Sequence, residues 1–152
     1  MPLTDENGVY YSPRKQGSGL VNVGNAVTTP AYLYVDDQTI NYRPKLDIKD
    51  SVTGEYEADF VVQSATGAAI TYNLDAVTLT ETADKYGYIL EQSQDISNMV
   101  AIEYTVDGVV SDTVTVPAGG SATVRVNITL LDAAKSYIDD TFENGEFVDG
   151  FI

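Results

Sequence analysis

Histidine, cysteine and tryptophan are all absent from this 152-residue sequence. Without cysteine the chain can form no disulfide, no thiolate zinc site and no cysteine nucleophile. Without histidine it cannot build a Ser-His-Asp triad, and it lacks the commonest general base and metal ligand in proteins. The two absences exclude the thiol and histidine mechanisms of catalysis.

Basic residues are scarce, with 8 against 23 acidic ones and a net charge of −15. A strongly acidic surface repels phosphate backbones and anionic lipid, so the charge argues against nucleic acid or a membrane surface as a partner. No run approaches the roughly 20 apolar residues that a membrane-spanning helix needs. No signal peptide opens the sequence, whose first residues have the character of a segment cut from a longer protein.

The clearest pattern is the alternation of apolar and polar residues from Thr113 to Leu130. Val114 and Val116 precede a turn sequence at 117–121, and apolar residues follow it at every second position. Side chains of a strand point alternately to its two faces, so this pattern is typical of strands with one buried face. The Pro-Ala-Gly-Gly-Ser turn then predicts a β-hairpin, and its buried face requires an opposing sheet.

The rest of the chain supplies further strand patterns, which fall at residues 31–35, 45–49, 55–63, 68–75, 76–79, 86–90 and 100–106. Residues 55–63 and 68–75 predict a second hairpin around a turn at 64–67. In residues 45–49 the alternation places Leu46 and Ile48 inward. About seven short strands with turn signals every ~8–12 residues predict an all-β sandwich.

Two segments outside the strands have helical features. Residues 20–27 predict a short helix capped by Asn22, after a loop-forming stretch from Met1 to Gly19. The spacing of Leu131, Ala134, Ile138 and Phe142 predicts a short helix that Asp132 caps and Asn144-Gly145 ends. A last strand is expected to begin within residues 146–152.

Carboxylates are the abundant candidates for chemistry. Three groups have the oxygen ligands that Ca²⁺ prefers, namely Asp36-Asp37, Asp47 with Asp50, and Asp139-Asp140 with Glu143. None has the spacing of an EF-hand loop, and acids in turns are usually solvated, so no metal ligand is assigned.

Ser12, Ser18 and Ser64 lie in turns, and Lys15 lies near the first two. A Ser-Lys dyad needs a desolvated lysine, whereas Lys15 lies in the most polar stretch of the chain, which favours loop serines and a surface lysine. The sequence therefore predicts no catalytic, cofactor-binding or metal-binding residue and no cofactor. The 11 tyrosines are explained first by strand packing, although aromatic faces also bind sugars and peptides.

Residues 10–22, YYSPRKQGSGLVN, followed by Ala26-Val27, resemble a YSPRxQGxGxVNxxxA segment of cell-envelope subtilisin-like serine proteases of Gram-positive bacteria, the lactocepin-like and complement-inactivating enzymes. The FENGEFVDGFI ending resembles the same proteins. The resemblance implies that residues 1–30 are the tail of an upstream catalytic domain and a linker, and that 31–152 form a fibronectin-III-like sandwich. On that basis we expect Met1 to about Gly19 to lack tertiary support.

Three interpretations follow. The resemblance implies a non-catalytic accessory domain of a secreted, cell-wall-associated endopeptidase, packing beside the protease domain of the same polypeptide and positioning protein or peptide substrates. Under that interpretation, calcium binding by the parent protein is left as an open alternative. A stand-alone adhesion or carbohydrate-binding module is the second interpretation, consistent with the tyrosines and the acidity. An independent hydrolase using carboxylates is the third, disfavoured by the missing histidine.

Overall fold

The structure is a computed structural model that describes residues 2–35 and 45–152 of the chain. Strands in antiparallel sheets dominate these residues, which confirms the all-β sandwich. The strands are β1 (Ala31–Tyr34), β2 (Glu55–Ser64), β3 (Ile70–Asn73), β4 (Val77–Ala83), β5 (Ile89–Asp95), β6 (Val100–Val106), β7 (Val109–Val110), β8 (Thr113–Val116), β9 (Ser121–Leu130) and β10 (Asp149–Phe151). The helices are α1 (Pro13–Gln16), α2 (Val23–Thr28) and α3 (Asp132–Thr141).

The chain divides into two compact units. The sandwich unit comprises Val23–Asp75 and Ile102–Thr129, and the sheet unit comprises Met1–Asn22, Ala76–Ala101 and Leu130–Ile152. Each unit has its own buried apolar residues. Residues 10–22, the main part of the sequence that resembles the protease segment, therefore belong to the same compact unit as β4, β5 and β10.

The sandwich unit contains a five-stranded sheet in the order β1-β2-β9-β6-β7 and a two-stranded sheet of β3 and β8. The predicted buried faces are confirmed, because Val114, Val116, Val124 and Val126 are all at most 1% exposed. The alternation on β2 is confirmed as well, with Ala58, Phe60 and Val62 buried. The apolar faces of the two sheets are what hold this unit together.

The two predicted hairpins are wrong, although their strands exist. β8 pairs with β3, and β9 pairs with β2, so the turn at 117–120 carries the chain from one sheet to the other. In the same way the chain crosses between sheets from β2 to β3. Alternation specifies which face of a strand is buried but not which strand lies beside it, since a hairpin and a sheet-crossing connection bury the same side chains.

The predicted strand at 45–49 is also wrong, because these residues form no strand and Ile48 is exposed. Asp47 accepts hydrogen bonds from the backbone and the ammonium of Lys49, at 3.3 Å and 3.0 Å. Lys49 itself has a positive φ of 63°. A short acidic side chain that binds the backbone two residues on stabilises a turn in competition with a strand.

The sheet unit has the strand order β10-β4-β5, with Leu79 and Ile96 fully buried. The predicted C-terminal helix is confirmed as α3, with Ala134 buried. Asp132 is its first residue and not its cap, because Leu131 occupies the capping position. No helix among residues 2–35 and 45–152 is long and apolar enough to cross a bilayer.

Candidate functional site

The sequence Ser-Pro-Arg-Lys at 12–15 forms a single helical turn that presents two cations side by side. The Ser12 hydroxyl accepts a hydrogen bond from the Arg14 amide at 3.1 Å, which caps α1. Pro13 takes the first helical position, where its missing N–H costs nothing. Gly17 ends the turn with a φ of 61°, a conformation that glycine adopts without strain. The local sequence therefore favours this turn at both of its ends.

Both cations bind one buried carboxylate on β4. The Glu81 side chain is only 7% exposed, yet both of its oxygens are paired. Arg14 Nη2 lies 3.0 Å from Glu81 Oε1, and Lys15 Nζ lies 2.9 Å from Glu81 Oε2. A buried carboxylate without a partner is strongly unfavourable, so these two cations compensate the burial of Glu81.

A second carboxylate, Asp149 at the start of β10, binds the same turn. Arg14 Nε donates to Asp149 Oδ2 at 2.8 Å, and the Ser12 hydroxyl donates to the same oxygen. The guanidinium carbon of Arg14 also lies 4.3 Å from the centre of the Phe147 ring, a cation–π geometry. Arg14 thus bridges β4 and β10. We call Ser12, Arg14, Lys15, Glu81 and Asp149 the anchor site.

A β-bulge completes the anchor site. The register of β4 and β5 shifts between Glu81 and Thr82, so β5 carries two extra residues at 91 and 92. The freed backbone carbonyl of Glu91 accepts a hydrogen bond from Lys15 Nζ at 2.8 Å, and that of Gln92 accepts one from the Thr82 hydroxyl at 2.9 Å. Bulges re-aim backbone groups beside functional sites, and here the bulge supplies a second ligand for Lys15.

The residues before the turn are held by Gln16. Its amide oxygen accepts from the Leu3 backbone N–H at 2.6 Å, and its amide nitrogen donates to the Tyr11 carbonyl at 2.6 Å. Within the same segment Asp5 accepts from the amides of Asn7 and Val9. Each position of Ser-Pro-Arg-Lys-Gln-Gly therefore has a structural role, which accounts for the motif in physical terms.

The contacts at the anchor site contradict one expectation from the sequence. Lys15 is exposed, as its polar stretch predicts, although its ammonium is paired with Glu81 and the Glu91 carbonyl, and Ser12 is only 2% exposed. The segment up to Gly19, however, does not lack tertiary support, because Ser12 and Arg14 bind residues more than 60 positions away. Hydrophobic patterning could not reveal this, since the contacts are ionic and arise from polar residues.

The serine candidates do not form a Ser-Lys dyad in this geometry. The Ser12 hydroxyl binds Asp149, whereas Lys15 binds Glu81. The buried Ser64 hydroxyl donates to the Thr66 carbonyl at 3.0 Å, and Ser18 is exposed in the loop after α1.

The predicted calcium groups are dispersed. Asp36-Asp37 lie outside the described residues. Asp47 is paired with Lys49, Asp50 accepts from the Ser51 amide, and Asp139, Asp140 and Glu143 are exposed at the end of α3. Across 2–35 and 45–152, no three acidic side chains gather closely enough to hold a metal ion.

Two tyrosines are displayed on the turn between β4 and β5. Tyr86 and Tyr88 are 73% and 71% exposed, and the Asp84 carboxylate accepts from both of their backbone amides, at 2.8 Å and 3.0 Å. Lys85 Nζ lies 4.9 Å from the centre of the Tyr86 ring. A turn held in this way fixes the backbone from which the two rings project.

A second ionic cluster lies on the exposed face of the sandwich unit. Arg125 on β9 binds Asp59 on β2 through two N–H groups, at 2.8 Å and 2.9 Å, and Glu57 at 3.3 Å. The hydrogen bonds from Arg125 lower the pKa of the Asp59 carboxyl below its ordinary value. Its side chains are about half exposed, unlike Glu81, so this cluster is the natural comparison for the anchor site.

Sequence reasoning missed Glu81 and Asp149. A signal for Glu81 was present, because Val77, Leu79 and Glu81 occupy alternate positions of one strand. A charged residue that continues an apolar face must be buried with a partner or end the strand. Asp149 gave no comparable signal, since it lies in a turn-like Asp-Gly sequence.

The architecture and the sequence together define the class of protein. The chain belongs to the Fn3-like domain family, whose sequence pattern matches residues 46–152. The match leaves out β1, although β1 pairs with β2 in the same sheet. The division of the chain at residues 30 and 31 remains a prediction.

Its relatives are bacterial proteinases. The PI-type proteinase of Lactococcus lactis subsp. cremoris is 26% identical over 159 residues, which cover 99% of this chain and 8% of the relative. The PIII-type proteinase of Lactococcus lactis subsp. cremoris strain SK11 is also 26% identical, over 99% of this chain and 7% of the relative. The PII-type proteinase of Lacticaseibacillus paracasei is 26% identical as well, over 99% of this chain and 8% of the relative. The chain thus spans less than a tenth of these relatives' length. The predicted resemblance to cell-envelope proteinases is confirmed.

Proposed function

We propose that this chain is a non-catalytic accessory domain of a secreted, cell-wall-associated subtilisin-like serine endopeptidase. One observation carries the proposal: the similarity to the proteinases covers 99% of the chain. It therefore runs through both the Ser-Pro-Arg-Lys segment and the Fn3-like domain, in one order. The anchor site supports the proposal, because its ion pairs join that segment to β4 and β10.

In this role the domain packs beside the protease domain of its own polypeptide at the cell surface and positions protein substrates. Catalysis belongs to the upstream domain, since this chain has no histidine from which to build the triad. The first test is the reading frame around the coding region. We expect a subtilisin-like catalytic domain immediately upstream, and an unrelated upstream domain or a stop codon would refute the proposal.

A second test separates accessory from catalytic function. The purified chain should not cleave casein and should not react with a fluorophosphonate probe. Labelling of a single serine that is lost on unfolding would show an enzyme instead. Ser18→Ala, at an exposed loop position, and Ser12→Ala, at a buried one, would then identify the labelled hydroxyl.

A third test addresses the positioning of substrates in the complete polypeptide. Deleting residues 46–152 should raise KM for a whole-protein substrate while leaving kcat and KM for a short chromogenic peptide unchanged, because only the long substrate reaches beyond the protease cleft. If the deletion left KM unchanged for both substrates, the domain would take no part in substrate binding.

A carbohydrate-binding module is the second candidate, favoured by Tyr86 and Tyr88 alone. Two exposed rings on a fixed turn suit stacking against sugar faces. Binding to purified cell-wall polysaccharide that is lost in the double variant Tyr86→Ala, Tyr88→Ala would establish this candidate. Absence of binding by the unaltered chain would eliminate it.

A further inference from the structure

We propose that the face formed by β4, β5 and β10 is a peptide-recognition site for a Ser-Pro-Arg-Lys sequence, and that the N-terminal segment occupies it as a tethered ligand. The inference concerns the binding surface itself and does not depend on the accessory function. Its predicted consequence is that the segment also binds when it is supplied as a separate peptide.

The first support is that the receptor side is built without the ligand. Backbone pairing places Glu81 opposite Ser93 on β5, and Asp149 opposite Leu79 on β4. The Thr80 hydroxyl donates a hydrogen bond to the Phe147 carbonyl at 2.8 Å, and the Tyr137 hydroxyl donates to the Glu81 carbonyl at 3.3 Å. None of these contacts involves residues 2–22, so strand pairing sets the backbone positions of Glu81 and Asp149 without the segment.

The second support is that each ligand side chain has a matched receptor group. Arg14 meets two carboxylates and the Phe147 ring, and Lys15 meets a carboxylate and the carbonyl that the bulge frees. The Ser12 amide donates to the Ser93 hydroxyl at 3.1 Å. Arginine recognises carboxylates through a planar fork of donors, so the site discriminates by geometry as well as by charge.

The third support is the nature of the tether. The segment leaves the site through residues 17–22, where Gly17 and Gly19 adopt positive φ values of 61° and 83°. Ser18, Leu20 and Val21 are exposed there. The chain then passes from the sheet unit to the sandwich unit after Asn22. The connection that follows the ligand is thus an exposed loop, which can be opened without disturbing a strand.

The test cuts this loop in the folded chain. A recognition sequence for a site-specific protease is inserted between Gly17 and Ser18, and the protein is cleaved after folding, with the uncut insertion variant as control. We expect the N-terminal peptide to stay bound through desalting, at one peptide per protein by native mass spectrometry. A fluorescent synthetic peptide of residues 2–17 should then exchange into the site.

The peptide variants carry the specificity test, because they leave the protein unchanged. Arg14→Gln and Lys15→Gln peptides should each bind about tenfold or more weakly, since each loses a charged partner of a buried carboxylate. A Glu6→Gln peptide changes the charge by one unit in the opposite direction, at an exposed turn position, and should bind within about twofold of the unaltered peptide.

Three results would each overturn the proposal. The cleaved peptide could be lost on desalting, whether the remainder stays folded or unfolds by circular dichroism. It could stay bound but fail to exchange with the labelled peptide, which would make the segment a permanent part of the fold. Finally, the Arg14→Gln and Lys15→Gln peptides could bind as well as the unaltered one, which would mean that the ion pairs do not provide recognition.

Discussion

Arg14 and Arg125 each bind two carboxylates, but the carboxylates differ in exposure, which allows a matched test of the anchor site. The partners of Arg14 are 7% and 14% exposed, whereas those of Arg125 are 48% and 58% exposed. Substitution by glutamine removes the same charge in both cases. We expect Arg14→Gln to destabilise the sheet unit far more than Arg125→Gln destabilises the sandwich unit.

The loss of unfolding free energy in Arg14→Gln depends on the two buried carboxylates that lose Arg14 as a partner. Removing one partner of a buried pair costs about 3–5 kcal/mol, whereas an exposed pair is worth about 0–1 kcal/mol. Arg14 itself is 36% exposed, and Lys15 remains on Glu81 after the substitution. These two features reduce the cost, and we expect a loss of about 2 kcal/mol.

Amide hydrogen exchange reads the two units separately. Under conditions where exchange follows the opening equilibrium, a loss of about 2 kcal/mol lowers protection of the β4 amides about thirtyfold. Arg125→Gln should leave the protection of β4 amides unchanged. It should lower the opening free energy of the β9 amides by less than about 1 kcal/mol. Equal losses in the two variants, or unchanged β4 protection in Arg14→Gln, would refute the argument that partner burial decides the strength of these ion pairs.

Three further predictions concern stability elsewhere. Val124→Asp buries an unpaired charge on β9 and should cost several kcal/mol in urea unfolding, whereas Ser121→Asp at an exposed position of β9 should shift stability by less than about 0.5 kcal/mol. Burial, together with the nearby Asp75 charge, raises the pKa of Tyr104 from 10.0 to about 12, so the folded state retains a proton that the unfolded state loses, and stability should fall as pH rises from about 10 to 12. Tyr104→Phe should remove this part of the pH dependence. Gly150→Ala should disrupt β10, because an added Cβ would lie 2.0 Å from the Val77 carbonyl oxygen, whereas Gly67→Ala, with open space around it, should be tolerated.

Each of these predictions has a contrary result. Equal urea midpoints for the two aspartate variants would show that the register of β9 is shifted by one residue. Identical profiles for Tyr104→Phe and the unaltered chain between pH 10 and 12 would place the phenol in water. Unchanged protection of β4 amides in Gly150→Ala would mean that β10 does not pair as described.

Sequence patterns predicted the buried faces well and the strand neighbours poorly. The apolar alternation of β9 identified Val124 and Val126 as buried, because the period of a strand is a local property. The pairing of β8 with β3 depends on how the strands are distributed between the two sheets, which is a property of the whole chain. At 45–49, alternation was present, but no strand forms and the Lys49 amide donates to the Asp47 carboxylate instead of to a neighbouring strand.

The anchor site was beyond pattern reasoning for a different reason. Ion pairs between distant residues leave no periodic trace, and Lys15 in a polar stretch has the same local sequence whether it is solvated or bound. The motif itself was visible, and its resemblance led to the correct group of relatives. What it binds became clear only when the register of β4 and β5 placed Glu81 and the Glu91 carbonyl beside it.

The sheet-crossing turns have a kinetic consequence. Because the paired strands β2 and β9, and β3 and β8, are far apart along the chain, Asp59 meets Arg125 across 66 positions and Thr71 meets Thr115 across 44. Domains dominated by such long-range contacts fold in about milliseconds to seconds, since loop-closure entropy is lost before contacts form. Ser12 and Asp149, 137 positions apart, must meet to complete the anchor site. Ribosomes synthesise about 5–20 residues per second, so a nascent chain would expose Arg14 and Lys15 for on the order of ten seconds before Asp149, the second carboxylate partner, was made.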